Sequence, residues 1–126
     1  MAKILIVEDE AHILRVMSMW LGRHGHDILE ASDGQAALDI LEHETVDLII
    51  TDMNMPVLDG LELIEIVRRK SDLHIPVLLL TARCDQETLL EQTQPFDVQL
   101  YPKPFVPSRL VADIEEVLTK VAQRGA

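Results

Sequence analysis

With 126 residues, 22 acidic against 11 basic side chains and a formal charge of −11, the chain is sized for one domain with a single core. It is poorly equipped to neutralise nucleic-acid phosphates. A single cysteine, Cys84, excludes an internal disulfide, and no apolar run approaches the roughly 20 residues of a bilayer span. Met1-Ala2-Lys3 leads directly into a short apolar run with no cleavage motif, so no signal peptide is expected, and a cytoplasmic location away from membranes follows.

Lys3 to Val7 reads as a first strand, ending in the successive carboxylates Glu8-Asp9-Glu10. Ile13, Leu14, Met17, Trp20 and Leu21 then recur at helical spacing, and His24-Gly25 closes that helix. Ile28 to Ala31 forms a short second strand. Ser32-Asp33-Gly34-Gln35 has the Ser-x-x-Gln form of a capping box ahead of a helix bearing Ala36, Ala37, Leu38, Ile40 and Leu41.

Val46 to Thr51 is an apolar run of the kind buried on both faces of a parallel sheet, and it stops abruptly at Asp52 and the loop Met53-Asn54-Met55-Pro56. After Asp59-Gly60, a third helix carries Leu61, Leu63, Ile64 and Val67, with Arg68-Arg69-Lys70 as its cationic last turn. Pro76 opens a fourth strand, Val77 to Leu80, ending in Thr81-Ala82-Arg83. A weaker helical segment follows from about Gln86 to Gln94. Val98 to Tyr101 reads as a fifth strand running into Lys103-Pro104, and Leu110, Val111, Ile114, Val117, Leu118 and Val121 mark the last helix.

Five strands alternating with five helices across short connections imply right-handed crossovers, hence a doubly wound α/β fold with both faces of a parallel sheet covered. All strand carboxyl ends then share one edge, where ligands bind in such folds. That edge gathers Glu8, Asp9, Asp52, Thr81 and Lys103. Three carboxylates against one ammonium leave two negative charges uncompensated, and two like charges about 4 Å apart repel by about 4 kcal/mol at an effective dielectric of 20. Either the carboxyls take up protons at raised pKa values or a divalent cation joins them; an all-oxygen set suits Mg²⁺, with Mn²⁺ as the alternative, better than zinc. Taken alone, Glu8-Asp9-Glu10 would be read as a solvated helix N-terminus and Asp52 as a turn cap. Their convergence with Lys103 favours a metal site.

Together these residues resemble the receiver domain of two-component response regulators, in its single-domain, chemotaxis-type form, across residues 1–126. The resemblance is carried by Glu8-Asp9, Asp52, Met55-Pro56…Asp59-Gly60, Thr81-Ala82 and Lys103-Pro104-Phe105, each at a strand end. It implies a flavodoxin-like sheet of order 2-1-3-4-5 with five helices. It also implies that Asp52 accepts a phosphoryl group from the phosphohistidine of a histidine kinase or phosphotransfer protein. Asp9, Asp52 and the Asn54 backbone carbonyl would hold Mg²⁺, with Glu8 acting through bound water. Lys103 and the Thr81 hydroxyl would contact the phosphoryl oxygens, Ala82 would leave the backbone accessible, and Pro104 would follow a cis bond that turns Lys103 inward. Phosphorylation would then bias a face built from the fourth helix, fifth strand and fifth helix, the expected surface for a downstream protein.

The chain departs from that pattern at Leu100, where the family usually has an aromatic residue three positions before the lysine. Tyr101 follows it and should point to the opposite face of the sheet, as a packing residue. Pro95 must end the fourth helix, and Val106 before Pro107 leaves the fifth without a side-chain cap there. His24-x-His26 is read as exposed residues at a helix end, and Trp20 with Met17 and Met19 as helix packing. The last helix shows no clear seam, so a monomer or weak dimer is expected. Three functional classes follow, in order: a phosphorylation-controlled receiver, a phosphorylation-independent binding scaffold of the same fold, and a metal-dependent phosphohydrolase. The third lacks a second aspartate two residues after Asp52, where Asn54 stands.

Overall fold

Strand alternation organises the structure. The computed structural model describes residues 2–55, 57–70, 75–82, 86–96, 98–103 and 105–124, and contains strands β1 (Lys3–Val7), β2 (Asp27–Ala31), β3 (Leu48–Asp52), β4 (Val77–Ala82) and β5 (Gln99–Lys103). Between and after them run helices α1 (Ala11–Arg23), α2 (Gly34–His43), α3 (Gly60–Lys70), α4 (Gln86–Thr93) and α5 (Pro107–Arg124). The strands form one parallel sheet in the order β2-β1-β3-β4-β5, as the alternation of elements requires.

Successive side chains point to opposite faces. Leu5, Val7, Ile49, Val77 and Leu79 enter a core with Leu38, Leu63, Ile64 and Val67 of α2 and α3. Ile4, Ile6, Leu48, Ile50, Leu78 and Leu80 enter a second with Met17 and Leu21 of α1 and Leu110, Val111 and Ile114 of α5. Near-continuous apolar strands are therefore needed at the centre, and β3 is buried along its whole length, Asp52 included. Among the described residues no helix is long and apolar enough to cross a membrane.

Several boundaries differ from the sequence reading. β4 and β5 each run further, pairing Thr81 with Pro102 and Ala82 with Lys103, so Lys103 belongs to the strand rather than to the loop after it. Pro102 is tolerated because β5 is an edge strand, where a missing N–H need not break a ladder. The cap of α2 is Asp33, whose Oδ1 accepts from the Ala36 N–H at 2.7 Å; the structure thus shifts the expected Ser32 cap by one residue. A reciprocal cap opens α3: Asp59 Oδ1 accepts from Glu62 N–H at 2.8 Å and Glu62 Oε1 from Asp59 N–H at 3.2 Å. α4 ends at Thr93 and passes into a 3-10 turn, Gln94–Phe96, at the point where Pro95 cannot continue an α-helix.

Of the expected packing residues on α1, Met17 is buried and Trp20 packs on the α1/α5 core, whereas Met19 is 45% exposed. His24 lies exposed, but His26 departs from the expectation: its side chain is 9% exposed, with Nδ1 accepting from the Ala2 N–H at 3.3 Å and Nε2 at 3.5 Å from Glu115. The turn after α1 folds His26 under the start of β1, a tertiary contact that local spacing does not reveal. His74, Arg83 and Cys84 lie outside the described residues.

The loop between β3 and α3 is fastened by glycines. A Cβ on Gly60 would stand 2.5 Å from the Asp52 carbonyl oxygen and 2.8 Å from a Leu79 methyl, and the Gly60 N–H donates to the Met53 carbonyl at 2.9 Å. Gly22, in the last turn of α1, has nothing within 4 Å of such a Cβ. Gly60→Ala is therefore expected to destabilise the protein by about 1 to 3 kcal/mol through overpacking. Gly22→Ala should stabilise it by about 0.5 to 1 kcal/mol through helix propensity. Denaturant unfolding of the two variants, with effects of the same sign, would contradict this assignment of close approach.

Candidate functional site

The shared edge of a parallel sheet brings remote acidic residues together. Glu8 directly follows β1, its N–H still donating to the Ala31 carbonyl at 3.0 Å. Asp9 is next to it, and Asp52 ends β3. One oxygen of each of the three carboxylates lies within 4.8 Å of the others. Lys103, delivered by β5 two strands away from β3, sets its ammonium 2.5 Å from Asp52 Oδ1 and 4.0 Å from Glu8 Oε2.

Glu8 is 1% exposed and Asp52 4%. Glu8 Oε1 accepts from the Glu10 N–H at 3.2 Å, while Oε2 is buried with no hydrogen-bond partner among the described residues. Burial, and then the charge of Asp52, pushes the Glu8 carboxyl up to about 7, against the Glu10 hydrogen bond and the charge of Lys103. Burial also raises Asp52, opposed by the hydrogen bond and charge of Lys103. For Lys103, burial disfavours the charge, but the hydrogen bond and charge of Asp52, with that of Glu8, outweigh it and hold the ammonium above its ordinary value. Burial leads the two carboxyl shifts, and the mutual charges of the cluster act on all three groups. With three carboxylates facing one ammonium, the ammonium keeps its proton and the surplus negative charge draws a proton onto a carboxyl, most readily Glu8 with its unpartnered oxygen.

A hard divalent cation relieves the same imbalance without a proton. The donor set fits one: oxygens only, three of them carboxylate, one of those buried and unpartnered. Asn54 stands exposed two residues after Asp52, on the loop that follows it. Thr81 is fully buried and lies one register step past Leu80, the β4 partner of Asp52. Ala82 ends β4 beside Lys103, with its side chain outside the described residues, as are Pro56 and Pro104.

Leu100 and Tyr101 point to opposite faces. Leu100 packs against the α2/α3 core, and Tyr101 against the α1/α5 core, its hydroxyl donating to Asp113 Oδ2 of α5 at 2.6 Å. Burial, then the hydrogen bond to Asp113, pushes the Tyr101 phenol up to about 12. Asp113 escaped the sequence reading because its pairing with Tyr101 depends on how α5 docks. The Asp59-x-x-Glu62 cap, by contrast, was legible as a pattern. Thr51, buried beneath Asp52, carried no local signal of a role.

The comparisons with known proteins agree with this fold. A family model described as the response regulator receiver domain matches residues 4–115. The probable transcriptional regulator ycf27 of Porphyridium aerugineum is 36% identical over 94% of this chain and 49% of its own length. The alkaline phosphatase synthesis transcriptional regulatory protein PhoP of Bacillus subtilis is 35% identical over 94% and 48%. The chain thus spans about half the length of the curated relatives it matches. Among solved structures, the receiver domain of a Francisella response regulator superposes with a TM-score of 0.87 at 26% identity, covering 96% of this chain and 99% of that one. The chemotaxis protein CheY4 of Vibrio cholerae superposes with 0.84 at 33% identity, covering 93% and 98%.

The raised Glu8 carboxyl has a consequence for stability. Its unfolded value lies near 4.5 and its folded value near 7, so over that window the folded state binds the proton more tightly and stability falls as pH rises. In chelator-treated protein, Glu8→Gln should remove most of this slope and raise stability above pH 7 by about 1 to 3 kcal/mol. Urea unfolding between pH 5 and pH 8 measures both; parallel curves for the two proteins would contradict the charge imbalance.

Proposed function

Because the chain belongs to the response regulator receiver domain family, we propose that it accepts a phosphoryl group on Asp52 from the phosphohistidine of a histidine kinase or phosphotransfer protein. Its α4, β5 and α5 face would then signal the change to a downstream protein. The observation that carries this reading is the Lys103 ammonium at 2.5 Å from Asp52 Oδ1 inside a cluster that also holds Glu8 and Asp9.

In the transfer, one Asp52 carboxylate oxygen forms the bond to phosphorus while the donor's P–N bond breaks and its electron pair returns to the imidazole. Phosphoryl transfer asks for positioning and charge stabilisation more than for covalent work by the protein. Lys103 serves both: it pairs with Asp52 beforehand and stays as a compact positive charge beside the incoming phosphoryl oxygens. The Thr81 hydroxyl is assigned to donate to one of those oxygens, and the small Ala82 keeps the backbone beside it accessible. Asp9, Asp52 and the Asn54 backbone carbonyl would hold Mg²⁺, or Mn²⁺ in its place, with Glu8 reaching it through water. When bound, the ion supplies charge neutralisation at the transferring group. Pro104 is assigned to orient Lys103. We read residues 1–126 as one receiver domain, acting in the cytoplasm as a monomer or weak dimer. The expectation of no direct nucleic-acid contact rests on this chain's charge of −11 alone, since the relatives named as transcriptional regulators are about twice as long.

A second reading, the phosphorylation-independent scaffold, is favoured by one observation: Leu100 occupies the usual aromatic position and Tyr101 is tied to Asp113 on the other face. Incubation with acetyl phosphate and Mg²⁺, followed by intact-mass measurement, separates the two. The receiver reading expects a single phosphoryl addition, abolished by Asp52→Asn and by chelation, and slowed roughly 100-fold by Lys103→Ala. No addition to the wild-type protein would favour the scaffold, and rapid turnover of varied organic phosphates would favour a phosphohydrolase.

A further inference from the structure

Beyond Lys3 at the start of β1, the α2/α3 side of the sheet is apolar along β1, β3 and β4 until it reaches Thr51. This residue sits between Val7 of β1 and Leu79 of β4 and is 0% exposed. Valine would fill the same volume without burying a hydroxyl, which is costly unless the hydroxyl is bonded. Its partners both belong to the segment that carries the phosphoacceptor: Thr51 Oγ1 donates to the Asp52 carbonyl oxygen at 3.0 Å and lies 3.9 Å from Met55 Sδ. Between those two residues are Met53 and Asn54, the latter supplying the backbone carbonyl assigned above to the cation. From the other side the same Asp52 carbonyl is closed in by Gly60, and the Met53 carbonyl accepts from the Gly60 N–H.

We propose that Thr51 is a positioning residue, whose buried hydroxyl bonds the Asp52 carbonyl while resting against the Met55 thioether, and so sets the turn that presents Asn54 beside the acidic cluster. The inference rests on the receiver reading of the site. A bridge across the two ends of a four-residue turn limits how far the middle can swing, and supporting bonds of this kind govern how well first-contact ligands are oriented. Thr51 touches neither donor nor cation; it acts through the backbone of residues that do.

The test sets stability against cation binding, because the two respond to different parts of the side chain. Thr51→Val keeps the branched shape and removes the hydroxyl, whereas Thr51→Ser keeps the hydroxyl and leaves a methyl-sized void. With Mg²⁺ alone as the probe, followed by calorimetry or amide chemical shifts, Thr51→Val should raise the dissociation constant roughly tenfold while melting at or above the wild-type temperature. Thr51→Ser should melt lower and yet bind Mg²⁺ as the wild type does. Met55→Leu, which roughly conserves volume but removes the sulfur and branches the side chain, should weaken Mg²⁺ binding about two- to threefold and tests the same contact if Thr51→Val fails to fold. Unchanged Mg²⁺ affinity in both Thr51→Val and Met55→Leu, or affinity that simply follows melting temperature across the series, overturns the proposal. If the wild-type protein neither binds Mg²⁺ nor takes up a phosphoryl group from acetyl phosphate, the receiver reading itself fails and this inference with it. Wild-type function with full affinity in the variants sinks this inference alone.

Discussion

Two buried carboxylates and one ammonium meet at the end of a parallel sheet, and much of the structure follows from keeping them there. Glu8 and Asp52 are withdrawn from water by the same strands that build the core, so the local charge imbalance cannot be relieved by solvent. Lys103 offsets part of it through its contact with Asp52. Burial, and then the charge of Asp52, raises the Glu8 carboxyl, one of whose oxygens has no hydrogen-bond partner among the described residues. A site held in this condition favours whatever brings positive charge to it, as a divalent cation would.

The sheet also separates two mechanical environments. Strand alternation sends Leu100 into the α2/α3 core and Tyr101 toward α5, where Asp113 accepts its hydroxyl hydrogen. β5 is thereby tied to α5 on one face and packed by an aliphatic side chain on the other. A leucine cannot make a phenol's hydrogen bonds, so on that face β5 is held by packing.

Around Asp52 the backbone is held close on several sides. Gly60 admits the Asp52 carbonyl, and Leu58 covers Gly34 at the start of α2 with its Cβ 2.8 Å from where a Gly34 Cβ would stand. Immediately before Leu58, Val57 adopts φ 70 and is 81% exposed. For a β-branched residue that conformation costs on the order of 1 to 3 kcal/mol, tolerated because the flanking contacts over-determine the loop. The same close fit makes the turn responsive to a single buried hydroxyl such as that of Thr51.

Periodicity and strand-end residues were enough to read five strands, five helices, a doubly wound parallel sheet and the rim residues Glu8, Asp9, Asp52, Thr81 and Lys103. They sufficed because buried strands must be apolar and crossovers are right-handed, so that polar residues ending apolar runs fall on one edge. Local pattern could not give the length of β5 through Pro102 and Lys103, which depends on the ladder β4 offers. Nor could it give the choice of Asp33 over Ser32 as cap, the burial of His26, or the pairing of Tyr101 with Asp113. Apart from the cap, whose bond to Ala36 is local, each of these is set by a partner distant in sequence. The amino-acid order thus determined which groups reach the rim, while only the packed structure decided which were dehydrated, which were paired and which carboxyl was left holding the excess charge. Solvation and distance are properties of the assembled surroundings, not of the residue.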